Sequence, residues 1–246
     1  MKEHGIIFQG WGVRAILDDR KTHTRRVITP HNSFVDGGPW PKGWKFDWST
    51  AYVDQGPSPA GNPGPYLHAD LIGGDTTHRI YSRYYIGQIL WVRETWALIW
   101  TEYEADWESQ TDWDVPHRIE YKADSGAKYP GDWPDDSSDD PDCPKWSPSI
   151  HMPRKASRIT LEITDVRVER VQEIPPMDCE AEGITGKTLA SPMRGQPYEE
   201  YENGDGTIYP TPIPAFAALW DSINLKRGFG WDMNPFCWVI TFKRKD

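Results

Sequence analysis

The apolar positions of this chain fall into short runs separated by long polar stretches. GIIF (5–8) is a brief apolar run and predicts a strand. WGVRAILDDR follows, with Val13, Ile16 and Leu17 spaced i, i+3, i+4, so it predicts a short helix with one buried face. Residues 31–77 are rich in Gly, Pro, Asp and Trp, hold no sustained period, and read as an irregular insertion. HRIYSRYY (78–85) alternates up to Gly87, and QILWVRETW (88–96) predicts a second strand. A second insertion covers 97–150, with one strand expected at HRIEYKA. SRITLEITDVRVERVQ (157–172) alternates through Ile159, Leu161 and Ile163, then Val166 and Val168, which predicts one long strand or two with a bulge near Asp165. PPMDCEAEG (175–183) opens on prolines and closes on Gly183, the punctuation of a short helix. A third insertion spans 185–212. IPAFAALWDSIN (213–224) sets Phe216, Leu219, Trp220 and Ile223 on one helical face, and FCWVITFKR (236–244) predicts a closing strand. Several strands with three short helices predict a mainly β, α+β chain built on a small, strongly bent sheet or barrel.

Composition narrows this picture. At 246 residues one large domain with insertions is expected, and the chain can bury a core. Only 37% is hydrophobic, and 21 Gly with 22 Pro require much loop. No run of about 18 apolar residues is present, so no membrane span is expected. The N-terminal residues lack the apolar core of a signal peptide. Cys143, Cys179 and Cys237 are scattered and odd in number, which predicts free thiols and a reducing, cytoplasmic setting.

The net charge of −10 is unevenly distributed. Residues 101–142 carry three Lys/Arg against fourteen Asp/Glu, a net of −11. Residues 1–30 carry six against three, a net of +3. The acidic stretch reads as a solvated surface loop. The basic excess concentrates in RKTHTRR (20–26). Arg20, Arg25 and Arg26 crowd Lys21, and like charge lowers a lysine's pKa. A lysine so tuned can take the proton of a hydroxyl, which makes Thr24, three residues on, a candidate nucleophile. A phosphate-binding patch or a solvated basic turn explains the same spacing. Glu180 and Glu182 stand at the carbonyl end of a predicted helix, where negative charge is disfavoured. One of them can answer the basic cluster. The seven histidines show no metal-ligand spacing, and no phosphate loop or cofactor motif is present, so neither a metal nor a cofactor is expected.

The blocks ILDDRKTHTRRV, GQILWVRE, SRITLEITDVRVERVQ, DCEAEGI and FCWVITFKR, in that order, resemble the ASCH superfamily. The long form, with RETW, FAALWDSIN and many tryptophans, is similar to ASCH proteins common in phages and prophages. The resemblance implies a single PUA-like β-barrel domain over 1–246, with core blocks 5–29, 78–96, 157–184 and 213–244. The insertions 31–77, 97–150 and 185–212 have no counterpart in compact members. Some compact members are amidohydrolases that remove the acyl group from N4-acetylcytidine and related N4-acylated cytosines, using a Lys, a Thr and a Glu. Their K-T-x-T-x-R motif is matched by Lys21, Thr22, Thr24 and Arg26, and Glu182 takes the place of their Glu. The resemblance thus implies Thr24 or a water as nucleophile, Lys21 as base, and Glu182 orienting Lys21 or shuttling the proton to the leaving amine. For such a mechanism Arg26 or a backbone N–H in the turn is expected to stabilise the oxyanion, Trp11, Trp91 or Trp96, in or beside the matched blocks, to stack on the base, and Thr22 and Glu94 to contact the substrate, a small nucleoside or nucleobase. Trp91 lies within an apolar strand and reads first as core. Trp40, Trp44, Trp48, Trp107, Trp113 and Trp133 lie in the insertions and are expected to pin them down. The competing expectation is a binding module, with Arg20, Lys21, Arg25 and Arg26 on the phosphates of RNA and no turnover, or a ribonuclease.

Overall fold

The computed structural model describes residues 3–54, 65–74, 76–100, 117–131, 143–190 and 197–245. The first third holds strand β1 (His4–Ile7), helix α1 (Gly10–Leu17), β2 (His23–Val27), β3 (Ser33–Val35), β4 (Gly38–Pro39) and β5 (Phe46–Asp54). The middle holds β6 (Tyr66–Leu71), β7 (Thr77–Ser82), β8 (Ile89–Arg93), β9 (Trp96–Trp100), β10 (His117–Tyr121) and α2 (Lys122–Ser125). The last third holds β11 (Thr160–Arg170), α3 (Pro176–Ala181), β12 (Thr185–Leu189), β13 (Tyr198–Glu202), β14 (Ile208–Tyr209), α4 (Pro212–Asn224) and β15 (Phe236–Lys245). The mainly β, α+β expectation is met. No closed barrel is found among the described strands. Contacts divide the chain into two compact units, each drawn from several segments.

The first unit takes residues 1–19, 89–161 and 244–246. β1 runs parallel to β8, with Gly5 opposite Trp91. β9 and β10 form an antiparallel pair. Trp96, Met152 and Ala156 form a small buried cluster, with Leu98, Ile119 and Tyr121 packed against it. Helix α1 buries Val13 and Ile16, as its spacing predicts, together with Ala15, while Leu17 is only half buried, and Arg14 donates to the Ala123 carbonyl at 3.1 Å. The acidic stretches 101–116 and 132–142, with Trp107, Trp113 and Trp133, lie outside the described residues.

The second unit takes residues 20–88 and 162–243. β2 pairs antiparallel with β15, Thr24 opposite Ile240 and Arg25 opposite Val239. β15 contributes a continuous buried run from Phe236 to Ile240, which is why its sequence reads as apolar without alternation. In β11, Ile163 is buried, then Val166 and Val168, so the buried parity changes around Thr164 and Asp165 within one strand. Helix α4 buries Ala215, Phe216, Leu219 and Trp220, while Ile223 stays partly exposed.

The segment 31–77, expected to be irregular, instead supplies most of a five-stranded antiparallel sheet, order β4-β3-β7-β6-β5. Its pattern is hidden because β5 changes register between Asp47 and Tyr52, which breaks the two-residue period. Trp40 and Trp44 pack edge-on against Phe46 of β5, within their own segment, ring centres 4.9 and 6.3 Å apart, while Trp48 reaches Phe236 of β15, ring centres 6.3 Å apart. The 185–212 insertion likewise holds a three-stranded sheet, β12-β13-β14. Its strands carry charge on exposed faces, as in YEEYE, and so escape a hydrophobic search.

Candidate functional site: a buried amine and carboxylate

The candidate site lies in the second unit, where the chain enters β2. The backbone there is held twice: Thr22 N–H donates to the Ala181 carbonyl at 2.8 Å, and Phe242 N–H donates to the Thr22 carbonyl at 2.9 Å. These bonds set Lys21 beside the C-terminal end of α3. Pro175 and Pro176 start that helix, and Gly183, at φ +105°, ends it. Glu182 caps its C-terminal end and is 4% exposed; Glu180 points to solvent.

Lys21 is 3% exposed, and its ammonium answers both negative features of the helix end. Nζ donates to the Glu182 main-chain carbonyl at 2.6 Å and to Glu182 Oε2 at 2.8 Å. One bond satisfies a carbonyl that the helix leaves open, and the other forms a buried ion pair. The two residues are 161 positions apart in sequence.

The second carboxylate oxygen is held as well. Arg25 Nη1 donates to Glu182 Oε1 at 3.3 Å, and Arg25 Nη2 donates to Glu169 and Asp178, each at 2.8 Å. Arg167 bridges the outer pair, reaching Glu169 and Asp178 at 2.9 Å each. Burial alone would raise the pKa of Glu182; Lys21 and Arg25 outweigh it and hold the carboxyl below its ordinary range. Burial pushes Lys21 down, Glu182 pulls it back, and Arg26 and Arg25 add to the lowering, with a net fall. Desolvation, rather than crowding by arginines, is therefore the main influence on this amine. Arg20 is exposed and donates to Thr185 Oγ1 at 3.0 Å.

Thr24 is 4% exposed in β2. Strand alternation puts Thr24 and Arg26 on one face and Arg25 on the other, while Lys21 precedes the strand. Among the described residues the Thr24 hydroxyl has no hydrogen-bond partner, so amine and acid meet directly and the hydroxyl joins neither. Thr22 Oγ1 contacts His23 Nδ1 at 2.9 Å, and burial lowers the His23 pKa. Arg26 is half buried, and burial lowers its pKa too.

Trp11, Trp91 and Glu94 belong to the first unit. Trp11 is half buried and donates to Gln9 Oε1 at 2.8 Å. Trp91 is 8% exposed beneath the Arg93 guanidinium, 4.6 Å from the ring centre, which fits its core reading. Glu94 is 1% exposed, and Arg158 takes both its oxygens at 3.0 Å each. The same guanidinium reaches both oxygens of Asp124 and lies 3.9 Å from the Tyr121 ring centre. These contacts account for the buried acid without a substrate.

Arg25 as a partner of Glu182 was not legible in the sequence, where it stands as one more basic residue. The available signal was parity: Lys21, His23 and Arg25 alternate with the threonines. Among the described residues no group of His, Cys, Asp or Glu side chains gathers in a way that could hold a metal ion, and no helix is long and apolar enough to cross a membrane. The three cysteines are buried and unbridged. Compared with family models, curated proteins and solved structures, the chain matches none of them.

Proposed function

We propose that this protein is a metal-independent amidohydrolase of the ASCH, PUA-like type, acting in the cytoplasm on N4-acetylcytidine or a related N4-acylated cytosine nucleoside or base. One observation carries the reading: the buried contact of Lys21 with Glu182, the two most widely separated members of the Lys–Thr–Glu set. Burial lowers the pKa of Lys21, so its ammonium gives up a proton more readily than that of an exposed lysine, the direction a base requires. In the proposed course, the Thr24 hydroxyl attacks the amide carbonyl as its proton passes to Lys21. The carbonyl carbon–N4 bond then breaks, the N4 amine leaves with the proton from Lys21, and the acyl group stays on the Thr24 oxygen. Water, its proton taken by Lys21, cleaves that ester, releases the carboxylic acid and restores the hydroxyl. Glu182 keeps the amine in place through both steps.

The binding-module reading needs its basic side chains available to phosphates. Arg25 is enclosed by three carboxylates and has 0% side-chain exposure, which counts against it. The test is incubation with N4-acetylcytidine, followed by the ultraviolet shift toward cytidine. Turnover by the wild type, with a loss of about 100-fold or more in Thr24→Ala and partial retention in Thr24→Ser, is expected. No turnover of any N4-acylated cytosine by the wild type would remove the hydrolase reading.

A further inference from the structure

The two oxygens of Glu182 have different partners, and the difference has a consequence for the site. Oε2 takes the Lys21 ammonium at 2.8 Å, and Oε1 takes Arg25 Nη1 at 3.3 Å. The other end of the same guanidinium, Nη2, is fixed at 2.8 Å by Glu169 from β11 and Asp178 from α3. Those two acids keep a second cation, Arg167, at 2.9 Å each. Without Arg25 each acid keeps one cation, Glu169 and Asp178 on Arg167 and Glu182 on Lys21, while Glu169 Oε2 and Glu182 Oε1 each lose the guanidinium. Of these acids Glu182 is the one that holds Lys21, so the loss of Arg25 reaches the amine through the orientation of Glu182.

We propose that Arg25 is the positioning residue of the site: anchored on Glu169 and Asp178, it clamps the Glu182 carboxylate so that one oxygen faces Lys21. This rests on the reading of Lys21 as the base. Arg25 touches no reacting atom. It fixes the acid, and the acid fixes the amine. A planar fork suits the task, because one nitrogen reaches Glu182 while the other stays with two acids. A lysine in its place has a single nitrogen and cannot occupy both positions.

The test uses the full chain with Arg25→Lys and Arg25→Gln, and N4-acetylcytidine as the probe. For Arg25→Lys, kcat is expected to fall about 100-fold, as for a catalytic group displaced by about 1 Å, with little change in KM. The acid limb of the kcat/KM profile should move to higher pH, since Lys21, the base that this limb reports, loses the nearby guanidinium that helps to hold its pKa down. A merely structural arginine would lower the melting temperature and leave that limb in place. An Arg25→Lys protein with wild-type kcat and an unmoved limb would overturn the proposal while leaving the hydrolase reading intact. A wild type without turnover would overturn the hydrolase reading alone. In that case, carbon-13 carboxylate titration of Glu182, assigned with Glu182→Gln, still decides on Arg25. The clamp predicts a higher midpoint in Arg25→Lys than in the wild type, and equal midpoints would refute it. Should Arg25→Gln fail to fold, Arg25→Lys carries the test, because its charge is kept.

Discussion

Replacing Glu182 by Gln is the most informative single perturbation of this fold. The change keeps the shape of the side chain and removes its charge. Each Glu182 oxygen faces a cationic donor, Lys21 Nζ at one side and Arg25 Nη1 at the other. A carboxylate accepts at both ends, but an amide accepts at only one and donates at the other. Whichever way Gln turns, its NH2 meets a donor. The Lys21 and Glu182 side chains are 2% and 6% exposed, so water cannot readily replace the lost acceptor. Breaking a buried pair from one side costs about 3–5 kcal/mol. For a chain of this length that corresponds to a fall in Tm of roughly 6–20 °C, at about 2–4 °C per kcal/mol. Thermal unfolding followed by circular dichroism at pH 7 measures it. Adding Lys21→Met should recover part of the loss, because the amide can then turn its oxygen to Arg25. A Glu182→Gln protein that melts within about 2 °C of the wild type would refute the reasoning.

Further outcomes follow from the same geometry. Glu182 has its folded pKa depressed, so its contribution to stability is full above the unfolded value near 4.5 and is lost as pH falls through the lower folded value. The Tm gap between wild type and Glu182→Gln should therefore close on acidification, and a gap that stays constant down to the acid transition would contradict the assignment. In the first unit, Arg158→Ala leaves Glu94 buried without its fork and should cost about 3–5 kcal/mol in a urea titration. The double change Arg158→Met with Glu94→Gln should cost less than Arg158→Ala alone, and an equal or larger loss would show that the pair is not the source.

The sequence made the apolar elements legible and left the polar ones hidden. Helices α1 and α4 follow from spacing, because each buries one face; strands β8, β11 and β15 follow from their apolar residues, and helix α3 from the prolines and glycine that bound it. The sheets inside 31–77 and 185–212 were missed for a physical reason. β3 and β4 are only three and two residues long, β13 is charged, and β5 shifts register midway, so no clean period survives. Glu182 stood out as an acid at the disfavoured end of a helix, and its partner Lys21 is indeed the group that offsets the cost. Arg25 did not stand out. What distinguishes it from Arg20 and Arg26 is the approach of Glu169 and Asp178, two acids that only the folded chain brings to it. Local spacing records like charge nearby along the chain; it does not record opposite charge arriving from elsewhere.

The most direct measurement is release of cytidine and acetate from N4-acetylcytidine by wild-type protein and by Lys21→Ala, with both melting curves recorded. The account predicts turnover by the wild type and a loss of at least about 100-fold in Lys21→Ala protein that still unfolds cooperatively. Equal rates in the two proteins would contradict it.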